Sequence, residues 1–97
     1  MSLRATLVDG ITSFPCLLED VSGKGFFLIS NRQFFVGQLL ELKCELYPEK
    51  ILHCKIEIRH INETCLGTMI VEISKEATAL LQQFLQEYYS LKLNQSI

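Results

Sequence analysis

The sequence predicts a small all-β barrel that is closed by one C-terminal α-helix. Two long segments alternate apolar and polar residues with a period of two, which is typical of half-buried strands. A later segment has apolar residues at helical spacing instead. The chain has 97 residues, so we expect one domain over residues 1–97.

The clearest strand signal begins at Leu39 and continues through two segments that are joined by a turn at residues 47–50. In both segments the apolar residues fall on one face, and charged residues such as Glu41 and Lys55 fall on the other. The apolar set is Leu40, Leu42, Cys44, Leu46, Leu52, Cys54, Ile56 and Ile58. We therefore expect these eight side chains to lie inside the barrel.

Four further strands are predicted from shorter apolar runs. They cover residues 3–8, 14–21, 25–30 and 65–73. In the last one, Cys65, Gly67, Met69, Val71 and Ile73 are expected to share one face. Short connections between consecutive strands predict an antiparallel meander, and small sheets of this kind often close into barrels that hide their edges.

The helix is predicted over residues 75 to about 91. Ser74 is a suitable N-cap, and Glu76 lies in the first turn, where the helix dipole favours a negative charge. The apolar stripe consists of Leu81, Phe84, Leu85 and Tyr88. Residues 94–97 are expected to form a frayed tail.

Composition excludes two classes of function. A net charge of −2 argues against general nucleic-acid binding, which requires a cationic surface, although one small anion could still be held by local donors. The apolar fraction of 48% is high, but no apolar run approaches the roughly 20 residues of a membrane-spanning helix. Arg4 is followed by Asp9 and Gly10 before an apolar signal-peptide region can form, so a cytoplasmic location is expected.

Cysteine and histidine supply no pattern for catalysis or metal binding. The four cysteines contain no CxxC pair, and free structural thiols are expected, with Cys65, beside a turn, the most reactive. His53 and His60 are interpreted as surface or loop histidines. Nucleophile-elbow, P-loop and HExxH motifs are missing from the sequence, so we expect a protein that is not an enzyme and has no cofactor or metal.

The turn at residues 20–25 has the composition of a binding site. Asp20 and Ser22 are two residues apart in a strand-like segment and should point to the same side, where they form an acceptor pair suited to a guanine N1–H and N2–H₂ edge. Gly23 and Gly25 allow unusual dihedral angles and close approach of a ligand, and Lys24 adds a positive charge. The alternative is an ordinary turn in which Asp20 and Ser22 cap their own backbone. Residue chemistry alone leaves both interpretations open.

The motif formed by Asp20, Ser22 and Gly25 resembles the (D/N)xSxxG signature of the PilZ domain family. The resemblance extends over about residues 12–92, because an apolar strand, Gly37 before the next strand, a last strand with Gly67 and a terminal helix follow in order. It implies an all-β fold, a six-stranded antiparallel β-barrel with a C-terminal α-helix. It also implies a non-enzymatic receptor for cyclic di-GMP, in which Asp20 and Ser22 would read guanine and Gly25 would shape the turn.

The sequence departs from the family at its second motif, RxxxR, whose arginines clamp phosphates and stack on guanines. Arg4 is the only arginine before the turn, and Val8 occupies the position four residues later. Either Arg4 is the second arginine of a clamp in a longer protein, or the protein belongs to PilZ members that lack the clamp. For these 97 residues, we expect weak cyclic di-GMP binding or none.

The alternative function is a PilZ-like interaction module that has lost the nucleotide and binds another protein or a neighbouring domain. Four aromatic residues are candidates for an exposed interface. They are Phe34, Phe35, Tyr88 and Tyr89. The competing explanation is that these rings pack the helix onto the barrel.

Overall fold

The computed structural model describes residues 2–95 of the chain and the side chains of residues 2–90. Six strands are followed by one helix. The strands are β1 (Leu3–Asp9), β2 (Thr12–Val21), β3 (Phe26–Ile29), β4 (Leu39–Tyr47), β5 (Lys50–Asn62) and β6 (Cys65–Ile73), and the helix is α1 (Lys75–Gln95). The predicted fold class, a six-stranded antiparallel barrel with one C-terminal helix, is confirmed.

The strands close into a barrel in the order β1-β2-β3-β6-β5-β4. The prediction of a simple meander is therefore wrong, because β3 pairs with β6 and β4 pairs with β1. The long connection between β3 and β4, residues 30–38, crosses one end of the barrel. This end also carries the β1–β2 and β5–β6 turns, whereas the turn at residues 20–25 lies at the other end.

The core consists of the inward residues of all six strands. The eight residues predicted on the inner face of β4 and β5 are all buried, with relative exposures of 8% or less. Burying a leucine or isoleucine side chain contributes about 1.5 to 3 kcal/mol, so this alternation supplies much of the driving force for folding. All four cysteines are free thiols, of which Cys16, Cys44 and Cys54 are buried and Cys65 is partly buried.

Strand β6 presents its alternating apolar face outward. Met69 and Val71 are 38% and 41% exposed, while Leu66 is buried. Ile73 was predicted on the face of Met69 and Val71, but it packs against the core. The cause is a bulge: Lys55 pairs with Glu72 and Ile56 pairs with Ile70, so Val71 is an extra residue and the alternation reverses after it.

Helix α1 starts where it was predicted and extends further. Ser74 Oγ accepts a hydrogen bond from the Ala77 amide at 3.1 Å, which confirms the N-cap. Ala77 and Leu81 are buried against the barrel. The helix continues to Gln95, so the tail prediction is wrong for residues 94–95, while residues 96–97 lie outside the described residues.

A second contact with the barrel lies nearer the end of the helix. The Tyr47 hydroxyl donates a hydrogen bond to Glu87 Oε2 at 2.6 Å, and the Tyr47 ring packs edge-on against Phe84. Burial and the Glu87 carboxylate raise the pKa of Tyr47 to about 12. The β4–β5 turn and the helix are thereby connected by one polar and one aromatic contact.

Candidate functional site

The turn between β2 and β3 is closed by its own backbone and by Ser22. The Ser22 amide donates a hydrogen bond to the Gly25 carbonyl at 2.9 Å. Ser22 Oγ accepts hydrogen bonds from the Lys24 and Gly25 amides, both at 3.2 Å, and lies 3.3 Å from the Gly25 carbonyl, to which it donates. Asp20 Oδ1 accepts from the Val21 amide at 2.9 Å. Both motif side chains thus cap their own backbone, as the turn interpretation expects.

Capping does not bury these side chains. Asp20 and Ser22 are both exposed, and both line a groove on the outer face of the barrel. A bulge in β2, between Leu18 and Asp20, directs Asp20 outward. The turn therefore holds a carboxylate and a hydroxyl at the rim of an open site.

A glycine is required at position 25 for a structural reason that the sequence does not indicate. Neither Gly23 nor Gly25 adopts a positive φ, so the expectation of unusual dihedral angles is wrong. Gly25 is buried, and a Cβ at this position would lie 1.9 Å from the Thr68 carbonyl oxygen. The glycine is needed because β6 passes so close to the start of β3.

The turn is also bonded to β6. The Ile70 amide donates to the Lys24 carbonyl at 2.7 Å. Thr68 Oγ1 donates to the Phe26 carbonyl at 2.9 Å and accepts from the Phe26 amide at 3.2 Å. The floor of the groove is consequently a rigid part of the barrel.

The groove has a volume of about 410 Å³ and lies across four strands. Asp20 pairs with Phe27, Phe27 with Gly67, and Gly67 with His60, so these residues form one lateral row across β2, β3, β6 and β5. Strand spacing gives a path of roughly 14 Å along the curved sheet between the ends of this row, Asp20 and His60.

Cationic and aromatic side chains complete the lining. The cations are Lys24 and Arg59, with His60 beside them, and the exposed aromatic rings are Phe27 and Tyr89. Phe27 is 42% and Tyr89 45% exposed. Such a combination can hold a ligand that has both flat heterocycles and negative charge.

Arg59 and His60 were not recognised as site residues in the sequence. They lie on the opposite wall from Asp20, at a bulge in β5 between Ile58 and His60. The His60 side chain lies over Gly67, where a Cβ would be 3.4 Å from the His60 Cβ. No local sequence pattern identifies them, because they reach the groove through the strand register that sets His60 opposite Gly67.

Two of the five predicted ligand-binding residues do not line this groove. Arg4 pairs with Leu17 on the outer face of β1 and lines a separate cavity of about 480 Å³, together with Ser30 and Thr64. Gly23 borders a smaller cavity of about 350 Å³ next to Leu81 of the helix. The structure brings together Asp20, Ser22 and Gly25, with Gly23 in the same turn, and it places Arg4 in a different cavity.

Other titratable side chains lie outside the groove. His53 Nε2 lies 3.2 Å from Glu41 Oε1 on the exposed face of the β4–β5 pair. Burial raises the pKa of the Cys16 thiol to about 12 and those of Cys44 and Cys54 to about 11, so these thiols are protonated at neutral pH. Residues 2–95 contain no cluster of three or more side chains that could hold a metal ion.

Helix α1, the one helix of the described residues, is not apolar enough over a sufficient length to cross a membrane. A search of curated proteins found no match to the chain. The family model for the PilZ domain, in contrast, matches residues 1–87. This match covers all six strands and most of the helix, and it agrees with the barrel and with the motif at the rim of the groove. The chain belongs to the PilZ domain family.

Proposed function

We propose that this protein is a non-enzymatic signalling module that binds cyclic di-GMP in the groove between the β2–β3 turn and Arg59. PilZ domains are a family of cyclic di-GMP receptors and are generally non-catalytic binding modules. We further propose that the module acts in the cytoplasm, on a protein partner or a neighbouring domain.

The observation that carries the proposal is the position of Asp20, Ser22 and Gly25 at one rim of a groove with aromatic and cationic residues. The Asp20 carboxylate accepts hydrogen bonds and suits the donor edge of guanine. The exposed Phe27 ring offers a surface on which a base can stack. Lys24 and Arg59 match the charge of a phosphodiester.

Arg4 bears on the expected affinity. It lies on β1 and lines a different cavity from the motif residues. Loss of one charge-assisted contact costs about 1.5 to 3 kcal/mol, which corresponds to roughly one to two decades in affinity. We therefore propose weak binding of cyclic di-GMP.

Calorimetric titration with cyclic di-GMP tests the proposal. We expect saturable binding by the wild-type protein and at least tenfold weaker binding by Asp20→Ala. Asp9→Ala is the matched control, because Asp9 is an exposed aspartate at the other end of the barrel, bonded to Gln38 at 3.2 Å. Absence of binding by the folded wild-type protein, or equal binding by both aspartate variants and the wild type, would reject the proposal.

A second candidate function, binding of another protein, is favoured by a turn at the opposite end of the barrel. Phe35 and Val36 are 65% and 62% exposed. The turn is nevertheless ordered, because the Phe35 amide donates to Gln38 Oε1 at 3.1 Å and the Gln38 amide donates to the Phe35 carbonyl at 3.1 Å. An ordered turn that exposes two large apolar side chains has the character of a contact surface.

The other aromatic candidates for an interface behave differently. Phe34 packs edge-on against Phe14, with ring centroids 5.8 Å apart, and Tyr88 stacks on Phe84 at 6.2 Å. Tyr89 in turn packs edge-on against Tyr88 at 5.6 Å, so ring contacts account for three of the four candidates. Light scattering coupled to size-exclusion chromatography, with candidate partners present, tests this surface. If the wild type is strictly monomeric and elutes like Phe35→Ser, the result counts against this function.

A further inference from the structure

The wall of the groove that faces Asp20 is formed by the end of β5. Ile58 pairs with Thr68 and His60 pairs with Gly67, so Arg59 is an extra residue that has no partner of its own in the register. A bulge of this kind redirects side chains and brings two consecutive residues to the same side. Arg59 and His60 are accordingly both exposed, and both line the groove.

The bulge is held in place by the end of the connection between β3 and β4. The Ile58 amide donates to the Gln38 carbonyl at 2.9 Å, and the Ile58 carbonyl accepts from the Gly37 amide at 2.7 Å. Ile58 itself is fully buried. The backbone that carries Arg59 is therefore fixed before any ligand binds.

Two contacts orient the Arg59 guanidinium, which remains accessible to a ligand. Its Nη1 lies 3.6 Å from Glu57 Oε2 and 3.8 Å from the Met69 sulfur. The side chain remains 49% exposed. An arginine has five N–H donors in a planar fork, so the contacts at Nη1 leave capacity for a bidentate bond to an anion.

Gly67 lets the His60 ring lie close against the sheet. It lies between Phe27 and His60 in the lateral row, and it contributes no side chain above the sheet. His60 lies against it and offers a ring N–H donor in either tautomer. An anion that bridges Arg59 and His60 would rest on this floor, within reach of a base held near Asp20.

We propose that Arg59, assisted by His60, is the phosphate-binding element of this groove, and that it supplies from β5 the cation that position 8 of β1 lacks. The ligand class is a phosphodiester attached to a planar base. The inference rests on the proposed function, and it assigns the charge recognition of that site to residues outside both sequence motifs.

The Glu57 carboxylate gives the inference a distinctive test. Because Glu57 shares Arg59 with the ligand, removal of its charge should strengthen binding, whereas removal of Arg59 should weaken it. If Arg59 acted only as a structural partner of Glu57, both substitutions would break the same ion pair and would change affinity in the same direction.

The experiment is calorimetric titration of cyclic di-GMP into the wild type, Arg59→Gln, Arg59→Lys, Glu57→Gln and Asp20→Ala. Arg32→Gln is the matched control, since Arg32 lies over the Phe14 ring at 5.6 Å and does not line the groove. We expect at least tenfold weaker binding for Arg59→Gln, partial recovery for Arg59→Lys, about two- to fivefold tighter binding for Glu57→Gln, and no change for Arg32→Gln. Thermal denaturation confirms that each variant is folded.

A second probe separates failure of the inference from failure of the proposed function. Inorganic pyrophosphate is titrated into ¹⁵N-labelled wild-type protein, and the Arg59 Nε–H and Gly67 amide resonances are followed. If Asp20→Ala weakens cyclic di-GMP binding and Arg59→Gln does not, the inference is wrong and the proposed function stands. If cyclic di-GMP does not bind but pyrophosphate shifts both resonances, the anion site stands and the proposed function falls. If neither cyclic di-GMP nor pyrophosphate binds the folded protein, both are rejected.

Discussion

A Cβ added to Gly25 would lie 1.9 Å from the carbonyl oxygen of Thr68, a separation that no folded backbone accommodates. The third residue of the signature is therefore required by the barrel itself, because it lets β6 pass beside the start of β3. Gly23, two residues earlier, has nothing within 4 Å of its Cβ position and no positive φ. The two glycines of the turn thus have different roles.

Substitution of these glycines by alanine should separate the roles. Gly25→Ala is expected to destabilise the fold by about 3 kcal/mol or more, because backbone of β3 or β6 must move to relieve the overlap. Gly23→Ala is the control and should change the free energy of unfolding by less than about 0.5 kcal/mol. Urea denaturation measures both. Equal stability of the two variants would mean that the close approach to Thr68 is not rigid.

Alkaline pH should weaken the fold through its buried thiols. Burial raises the pKa of Cys16 to about 12 and those of Cys44 and Cys54 to about 11, from an ordinary value of 9.0. A raised folded-state pKa means that the unfolded chain loses these protons first as the pH rises. The stabilisation is thus complete below about pH 9 and is lost as the pH increases towards 11 or 12.

Urea midpoints at intervals between pH 7 and pH 11 measure this dependence. Cys16→Ala removes the thiol whose pKa is raised most. The free energy of unfolding of this variant should fall less steeply with pH than that of the wild type. The small cavity left by the substitution lowers the variant's free energy of unfolding at every pH. A wild-type midpoint that is constant from pH 8 to pH 11 would contradict the prediction.

The barrel could be predicted from the sequence to the extent that apolar and polar residues alternate regularly along its strands. β4 and β5 alternate over their inner residues, and all eight predicted core residues are buried. Prediction failed where a bulge reverses the alternation, as Val71 does for Ile73. It also failed for the strand order, because the 30–38 connection crosses the barrel end and no local pattern records where a long connection returns.

Only one side of the candidate site could be derived from the sequence, for a related reason. Asp20, Ser22 and Gly25 are close in sequence, and their spacing is itself the signal. Arg59 and His60 reach the same groove through the pairing of β5 with β6 and of β6 with β3, and a surface strand residue has no distinguishing pattern of its own. Arg4 is the opposite case: it was chosen because of a sequence motif, but it lines a different cavity.

The contact between Tyr47 and Glu87 should contribute measurably to docking of the helix. The 2.6 Å hydrogen bond joins the end of β4 to the second half of α1 and is exposed to solvent, so we expect Tyr47→Phe to cost about 0.5 to 1 kcal/mol. A double-mutant cycle with Glu87→Gln isolates the coupling. Because Phe at position 47 keeps the packing against Phe84, additive effects of the two substitutions would show that the hydrogen bond does not hold the helix.

Ser22 is expected to stabilise the turn itself, independently of any ligand. Its hydroxyl accepts from the Lys24 and Gly25 amides, so Ser22→Ala leaves the turn without both bonds and is expected to cost about 1 kcal/mol. Hydrogen exchange of these two amides should accelerate severalfold, while amides of the β4–β5 pair keep their rates. Ser22→Thr preserves the hydroxyl and should restore slow exchange. If both variants exchange like the wild type, backbone bonding alone closes the turn, and the serine is then explained by recognition of a ligand.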